Sequence, residues 1–187
     1  MQQQRRPAVV RLIGLLGIVA ATLLVSLPLA PAAAAAAPAV AGASALSDAT
    51  SATKEARLLR QETTAMLSRY LTEYGDRFTT AENDRLRAYR ATADRQLATV
   101  VVTARRLQAA VTARAPRSEI LAAGRAAQRS HQRARTAAQA SYEGARQIME
   151  PRLSLFEGIA AIRDYDAMLG RFDDLGERID AVVATVD

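Results

Sequence analysis

The sequence contains no cysteine and no tryptophan, and its aromatic residues are limited to five tyrosines and three phenylalanines. Without cysteine, the chain has no disulfide, no thiolate metal ligand, no cysteine nucleophile and no cysteine for lipid attachment. An alanine-rich chain with few aromatic residues is typical of helices that pack through small side chains, and it fits a β-sheet poorly. We therefore predict an all-α protein with one folded domain, held together by packing alone.

Recognisable catalytic motifs are also missing from the sequence. It has no Gly-x-Ser-x-Gly elbow, no P-loop and no dinucleotide-binding fingerprint. Glu143, Glu150 and Glu157 recur every seven residues, as surface positions of a helix do, and are not arranged like an acid–base pair. The sequence predicts a protein that is not an enzyme and that carries no cofactor.

Lysine is nearly absent as well, since Lys54 is the only one and arginine carries the formal net charge of +6. The charges are unevenly distributed along the chain. Residues 46–94 hold eight basic and eight acidic groups, residues 95–142 hold nine and one, and residues 143–187 hold five and ten. The middle of the chain is therefore basic and its end is acidic.

The N-terminal residues predict a leader for export. Arg5, Arg6 and Arg11 precede a run from Leu12 to Ala30 that contains only two polar residues. This order is typical of a secretory signal peptide, but 19 residues of helix span about 28 Å, close to the thickness of a membrane core. Residues 1–30 are thus a cleaved signal peptide or an uncleaved anchor, and in both cases the basic end keeps the rest of the chain outside the cytoplasm.

Residues 31–46 consist mostly of alanine with two prolines and carry no charge. They contain two Ala-x-Ala steps, at 39–41 and 43–45, which suit cleavage of a leader. Because the segment has no apolar periodicity, we predict a flexible linker or cleavage region.

The first predicted helix begins between Ser47 and Thr53 and ends at Tyr74, where Gly75 is expected to form a left-handed cap. Its predicted apolar face contains Leu59, Met66, Leu67, Tyr70, Leu71 and Tyr74.

The start of the second helix is indicated by a capping box, in which the Thr79 hydroxyl and the Glu82 carboxylate each accept from the other's backbone N–H. Pro116 is expected to end this helix, because proline lacks a backbone donor and restricts the residue before it. The apolar positions of the helix follow a heptad pattern: Leu86, Ala93, Leu97, Val100, Ala104, Leu107 and Val111.

A third helix is predicted from about Ser118, with mostly small side chains on its buried face. Small side chains allow close approach of a neighbouring backbone, so this helix should be the most tightly packed. Glu150 and Pro151 end it, either at a tight reversal or at a kink within one long helix. The predicted face contains Ile120, Gly124, Ala127, His131, Ala134, Ala138, Ser141, Ala145 and Ile148.

The fourth helix, Leu155 to Val186, has the clearest apolar periodicity. Asp166, Asp173, Asp180 and Asp187 recur every seven residues beside its apolar stripe and are expected to face basic residues of a neighbouring helix. Residues 47–187 thus predict an elongated antiparallel four-helix bundle with coiled-coil-like faces. The predicted stripe contains Leu155, Gly158, Ile162, Tyr165, Leu169, Phe172, Gly176, Ile179, Val183 and Val186.

The candidate binding residues are arginines. Arg125, Arg129 and Arg133 are spaced by four opposite the apolar face of the third helix, and they predict an exposed stripe that Arg105, Arg106 and Arg114 extend from the second. Outside the cell, such a stripe would meet anionic wall polymers or phospholipid headgroups, whereas nucleic acid is not expected. A solvated helix face without a ligand is the default interpretation of such a stripe, and binding is the functional alternative.

His131 is the only histidine and lies among alanines on a predicted buried face. We expect a core imidazole that makes one hydrogen bond, and the alternative is a functional role as a ligand for a metal or haem or as a pH-sensitive latch. No Glu-x-x-His or Cys-x-x-Cys-His motif accompanies it.

Three functions remain open from the sequence. The first is an exported interaction, scaffold or chaperone-like bundle of the cell envelope with an unknown protein or anionic partner. The second is a membrane-anchored ligand-sensing ectodomain, and the third is a metal or haem binder through His131. A homodimer is compatible with each of them, because an amphipathic helix does not specify whether its partner belongs to the same chain.

Overall fold

The computed structural model describes residues 37–186, with side chains from residue 42 onward. The predicted leader, residues 1–30, and the first six residues of the predicted linker lie outside this range. Four helices make up nearly all of the described chain: α1 (Ala37–Tyr74), α2 (Thr80–Thr112), α3 (Arg117–Met149) and α4 (Leu155–Val186). A single 3₁₀ turn, Gly75–Arg77, joins α1 to α2.

The helices form an antiparallel bundle in which each helix packs against two others. The neighbouring pairs are α1–α2, α2–α3, α3–α4 and α1–α4, so α1 lies diagonally across from α3. With 32 to 38 residues each, the helices are about 48–57 Å long. The predicted fold, an elongated antiparallel four-helix bundle, is confirmed.

The buried faces of α2 and α3 are those that the sequence predicts. All seven predicted positions of α2 and all nine of α3 are buried. The capping box of Thr79 and Glu82 is present, with the Thr79 N–H donating to the Glu82 carboxylate over 2.8 Å. Both faces follow regular steps of three and four residues, and this regularity is why they could be predicted.

The start of α1 was predicted wrongly. The helix begins at Ala37, ten residues before Ser47, so residues 37–46 of the predicted linker are helical. Alanine has the highest helix propensity of all residues, and Ala45 of this segment is buried against the bundle. The buried face of α1 follows steps of three and four from Ala45 to Thr63, mostly through small side chains. The buried positions of α1 are Ala45, Ala49, Ala52, Thr53, Ala56, Leu59, Thr63 and Tyr70.

The ends of the helices differ from prediction in two places. Gly75 forms no left-handed cap, because no glycine of the described residues has a positive φ, and α1 instead tightens into the 3₁₀ turn. Pro151 produces the predicted reversal rather than a kink, but it lies in a five-residue turn and not in the first turn of α4. The start of α4 has a capping box that we did not predict, with the Ser154 N–H donating to Glu157 over 2.7 Å.

The predicted stripe of α4 is correct only in part. Phe172 and Ile179 are fully buried as expected, but the other fully or largely buried positions are Ala161, Met168, Leu175 and Val182. Leu155 and Ile162, at the start of the predicted stripe, are 76% and 49% exposed. The first two turns of α4 therefore present an apolar surface that has no partner in the described chain.

Candidate anion-binding face

All six candidate arginines are exposed, but the structure divides them among three places. Arg105 lies in a groove between α1 and α2, beside Arg60 and Asp94. Arg114 lies in the α2–α3 turn at one end of the bundle. Arg105 thus does not extend the stripe of α3, and this part of the prediction is wrong.

Arg106 does lie beside the α3 stripe, because of the register between α2 and α3. The Thr103 and Ser130 hydroxyl oxygens are 2.6 Å apart, and the Tyr89 ring lies against Gly144. These contacts place Arg106 level with Ala127, between Arg125 and Arg129 along the bundle axis. Arg106 follows Thr103 by three residues, so its side chain lies about 60° around the helix axis from that of Thr103. This rotation turns Arg106 away from the core and toward solvent, on the side of α2 that faces α3.

The arginines of α3 spread across the outer surface of that helix. Each step of four residues turns the side-chain direction by about 40° around the helix axis. Arg125 therefore lies on the side of α3 nearer to α4, Arg129 faces outward, and Arg133 lies on the side nearer to α2. Arg125 and Arg129 border a groove between α3 and α4 that also contains Asp173 and Asp180. We call Arg106, Arg125, Arg129 and Arg133 the arginine face.

The acidic groups nearest to this face already have other partners. Asp173 forms an ion pair with Arg135 over 2.9 Å, which confirms the predicted match between α4 and a basic neighbour at this position. Asp180 accepts instead from the amide of Gln128 over 2.8 Å. Asp187 lies outside the described residues. In the described part of the chain, no hydrogen bond or ion pair engages any member of the arginine face.

Several arginines on the other faces of the bundle, though not all of them, are held by carboxylates. Arg60 donates two hydrogen bonds, of 2.7 and 3.1 Å, to the carboxylate of Asp94 and thereby keeps the pKa of that carboxyl below its ordinary value. Arg171 of α4 contacts two carboxylates of α1, with Glu55 at 3.2 Å. Further pairs of this kind are Arg69–Asp164, Arg77–Glu157 and Arg152–Glu82.

The arginine face is thus distinguished by having few acidic neighbours in sequence and, among the described residues, no ion pair. Residues 95–142 contain one acidic residue, Glu119, in the first turn of α3. Like charges four residues apart on a helix are destabilising by roughly 0.2–0.5 kcal/mol per pair. Packing within the bundle therefore does not account for this arrangement, whereas an anionic ligand would relieve the repulsion.

His131 lies in the core and makes a hydrogen bond, as the first of the two interpretations predicts. The residue is 9% exposed, and Nε2 of its ring lies 2.7 Å from the backbone oxygen of Phe172. Within residues 37–186, no three His, Asp or Glu side chains are grouped closely enough to hold a metal ion. His131 joins α3 to α4.

One feature with functional potential was missed in the sequence, the exposed apolar start of α4. The signal was present, since Leu155, Phe156, Ile159 and Ile162 cover a wider arc than one stripe can bury. A helix with apolar residues over so wide an arc needs more than one partner.

Comparison with known proteins gives no relative for this chain: no family model, no curated protein and no solved structure matches it. Among the described residues, no helix has an apolar stretch long enough to cross a membrane. The chemistry of the arginine face is therefore the basis for a functional proposal.

Proposed function

We propose that this protein is an exported, non-enzymatic helical bundle of the cell envelope that binds a phosphate-bearing anionic surface through its arginine face. The observation that supports the proposal is the set of four exposed arginines without an internal partner. Guanidinium groups bind phosphate oxygens with paired N–H donors, and their charge attracts an anionic surface over about a Debye length. The basic, then apolar leader at residues 1–30 supports the location.

The rigidity of the bundle favours this role. The arginine face lies on two helices whose contact is fixed by small residues and by the Thr103–Ser130 hydroxyl pair. A rigid surface keeps the spacing of its charges when it binds, so little ordering of the backbone is required. An extended phosphate polymer or a lipid headgroup layer presents charges over a comparable length.

The test measures binding of the purified protein to vesicles with and without anionic phospholipid, and to a soluble polyphosphate, at about 50 and 200 mM salt. A variant with Arg106, Arg125, Arg129 and Arg133 changed to Ala should lose close to a thousandfold in affinity for the anionic ligand, since each arginine near such a surface contributes roughly 1 kcal/mol and about 1.4 kcal/mol is a factor of ten. Binding by the unmodified protein should weaken as salt rises.

A matched control removes the same charge elsewhere. Arg57, Arg85, Arg163 and Arg178 are exposed but lie in parts of the chain where acidic groups equal or outnumber basic ones. Their change to Ala should alter affinity by less than about threefold, because the local field governs binding. Equal losses in both variants, or no salt-dependent binding at all, would remove the proposal. The vesicle and polyphosphate arms distinguish a membrane surface from a free polymer.

Intact-mass analysis of the protein from its native envelope distinguishes the two forms of export. Loss of roughly 40 N-terminal residues indicates a cleaved signal peptide and a free module. Retention of these residues indicates the second candidate function, a membrane-anchored ectodomain that senses a ligand and signals through a partner protein.

A further inference from the structure

The interface between α3 and α4 is closed along most of its length and opens at one end. It is closed where Val183 lies against Gly124, and at the face-to-face stack of Tyr142 and Tyr165, whose ring centroids are 3.5 Å apart. Beyond this stack, the last turns of α3 and the first turns of α4 leave an open apolar groove of about 380 Å³ between them.

The walls of the groove come from three helices and the α3–α4 turn. Met66 and Tyr70 of α1, Met149 of α3 and Gly158 of α4 are among them. A Cβ built on Gly158 has nothing within 4 Å, in contrast to Gly124 and Gly176, where neighbouring side chains fill the space. The groove is thus a real gap at the point where the apolar pattern of α4 predicts a packed neighbour.

Large apolar side chains are exposed on the first two turns of α4, and three of them, Leu155, Ile159 and Ile162, line this gap. Phe156 and Leu155 are 83% and 76% exposed, and Ile159 and Ile162 are each 49% exposed. Together they expose on the order of 500 Å² of apolar surface, which is near the upper end for a soluble monomer and is commonly functional.

We propose that the groove is the interface of a homodimer, in which the start of α4 from one copy packs antiparallel against the start of α4 from the other. A twofold interface requires one surface to carry both the projection and the recess that receives it. Here Leu155 is the projection and the space beside Gly158 is the recess, and both residues line the groove one turn apart on the same side of α4. The proposal is independent of the arginine face.

Charge and area both favour a second copy. The rim carries both signs, with Arg146 and Glu150 at 4.0 Å on α3 and with Arg163 and Asp166 exposed on α4. A stable dimer buries roughly 800 Å² per subunit, of which the four apolar side chains supply more than half and the groove walls and rim supply the remainder. Residues 143–166 hold five acidic and three basic groups, which disfavours an anionic lipid surface as the occupant.

The absence of cysteine allows a direct test in the full chain. In the proposed dimer, Ile159 lies close to the twofold axis, so the two copies of Ile159→Cys come within reach of a disulfide, whose Cα atoms are typically about 4.4–6.8 Å apart. Val102→Cys is the matched control, since Val102 is 45% exposed on α2 and remote from the groove. Under mild oxidation, Ile159→Cys should form mainly covalent dimer, and Val102→Cys should stay monomeric.

A second substitution separates the groove from any association through the leader. Phe156→Asp, at the exposed N-terminal turn of α4, should reduce cross-linking of Ile159→Cys at least tenfold, whereas Phe156→Leu should preserve it. The proposal is overturned if Ile159→Cys does not cross-link, if it still cross-links with Phe156→Asp, or if Val102→Cys cross-links equally. Binding of uncharged phosphatidylcholine vesicles that is lost in Phe156→Asp, without any cross-link, would show that lipid occupies the groove instead.

Discussion

The Nε2 atom of His131 lies 2.7 Å from the backbone oxygen of Phe172, and this bond joins the middle of α3 to α4. A carbonyl oxygen only accepts, so Nε2 carries the hydrogen. The same carbonyl faces the N–H of Gly176 in the helical ladder of α4. The ring covers Gly176 so closely that a Cβ at that position would lie 2.9 Å from Cε1 of the imidazole.

Gly176→Ala should therefore destabilise the bundle. The added methyl group gains about 1 kcal/mol of helix propensity, but it pushes the imidazole from its site and weakens the bond to Phe172, and overpacking of this kind typically costs about 1–3 kcal/mol. We expect a net loss of about 1 kcal/mol in the free energy of unfolding, measured by urea denaturation.

Gly170→Ala is the matched control for that change. Gly170 lies in the same helix, and a Cβ added there would have nothing within 4 Å, so alanine should stabilise the protein by about 0.5–1 kcal/mol. If both substitutions stabilise the protein, the imidazole is not held as tightly as the structure shows.

The faces of α2 and α3 could be predicted because their periodicity is unbroken and their ends carry Thr79, Glu82 and Pro116. The start of α1 could not be predicted, because an alanine-rich run is compatible with a linker and with a helix. Only tertiary contact decides between them, and Ala45 and Ala49 are buried against the other helices. Alanine carries little periodic signal when nearly every position is alanine.

The binding site was predictable as a set of residues but not as a surface. Arg105 and Arg106 are adjacent in sequence, and a helix rotates by about 100° between them, so they face different neighbours. Which neighbour each one faces depends on the register of α2 against α1 and α3, set by contacts such as Thr103–Ser130. The open groove at Leu155 was equally hidden, because periodicity shows that a face is apolar and not what covers it.

Arg114→Gly should stabilise the protein. Arg114 has φ of 52°, the only positive φ among the described non-glycine residues, and it occupies the usual glycine position of a Schellman motif. The Arg114 N–H donates to Val111 over 3.1 Å, and the Ala115 N–H donates to Ala110 over 3.0 Å. Glycine has no Cβ penalty in this region, which is about 1 kcal/mol for other residues, so the melting temperature should rise by a few degrees.

The control for Arg114→Gly is Arg114→Ala, which removes the same charge but keeps a Cβ. It should leave the stability within about 0.5 kcal/mol of the unmodified protein. If alanine stabilises as much as glycine, then charge repulsion at this end of the bundle, and not the backbone conformation, is the cause.

Glu157 should make the stability of the bundle sensitive to acid. Hydrogen bonds from Arg77, at 2.8 and 3.0 Å, and from the Ser154 backbone lower the pKa of Glu157 from its ordinary 4.5 to about 2. A depressed pKa means that the stabilisation is complete above pH 4.5 and is lost as the pH falls from there to about 2. Urea denaturation at a series of pH values should show the loss.

Glu157→Gln isolates this contribution from those of other carboxylates. The variant should be less stable than the unmodified protein at about pH 6, and the difference between the two should shrink steadily below pH 4.5 and nearly vanish by about pH 2. A difference that does not change with pH would mean that the carboxylate charge is not what holds Arg77.

Removing the α3 arginines should leave the fold intact. In the described structure, Arg125, Arg129 and Arg133 have no partner to lose, and relief of repulsion between charges four apart is worth roughly 0.2–0.5 kcal/mol per pair. The triple change to Ala should therefore leave the free energy of unfolding equal or raise it by up to about 1 kcal/mol, more at low salt. Arg60→Ala, which breaks the pair with Asp94, should instead cost about 0.5–1 kcal/mol. A triple variant that is less stable than Arg60→Ala would show that these arginines have a structural role. Loss of ligand binding in variants of the arginine face could then not be assigned to charge alone.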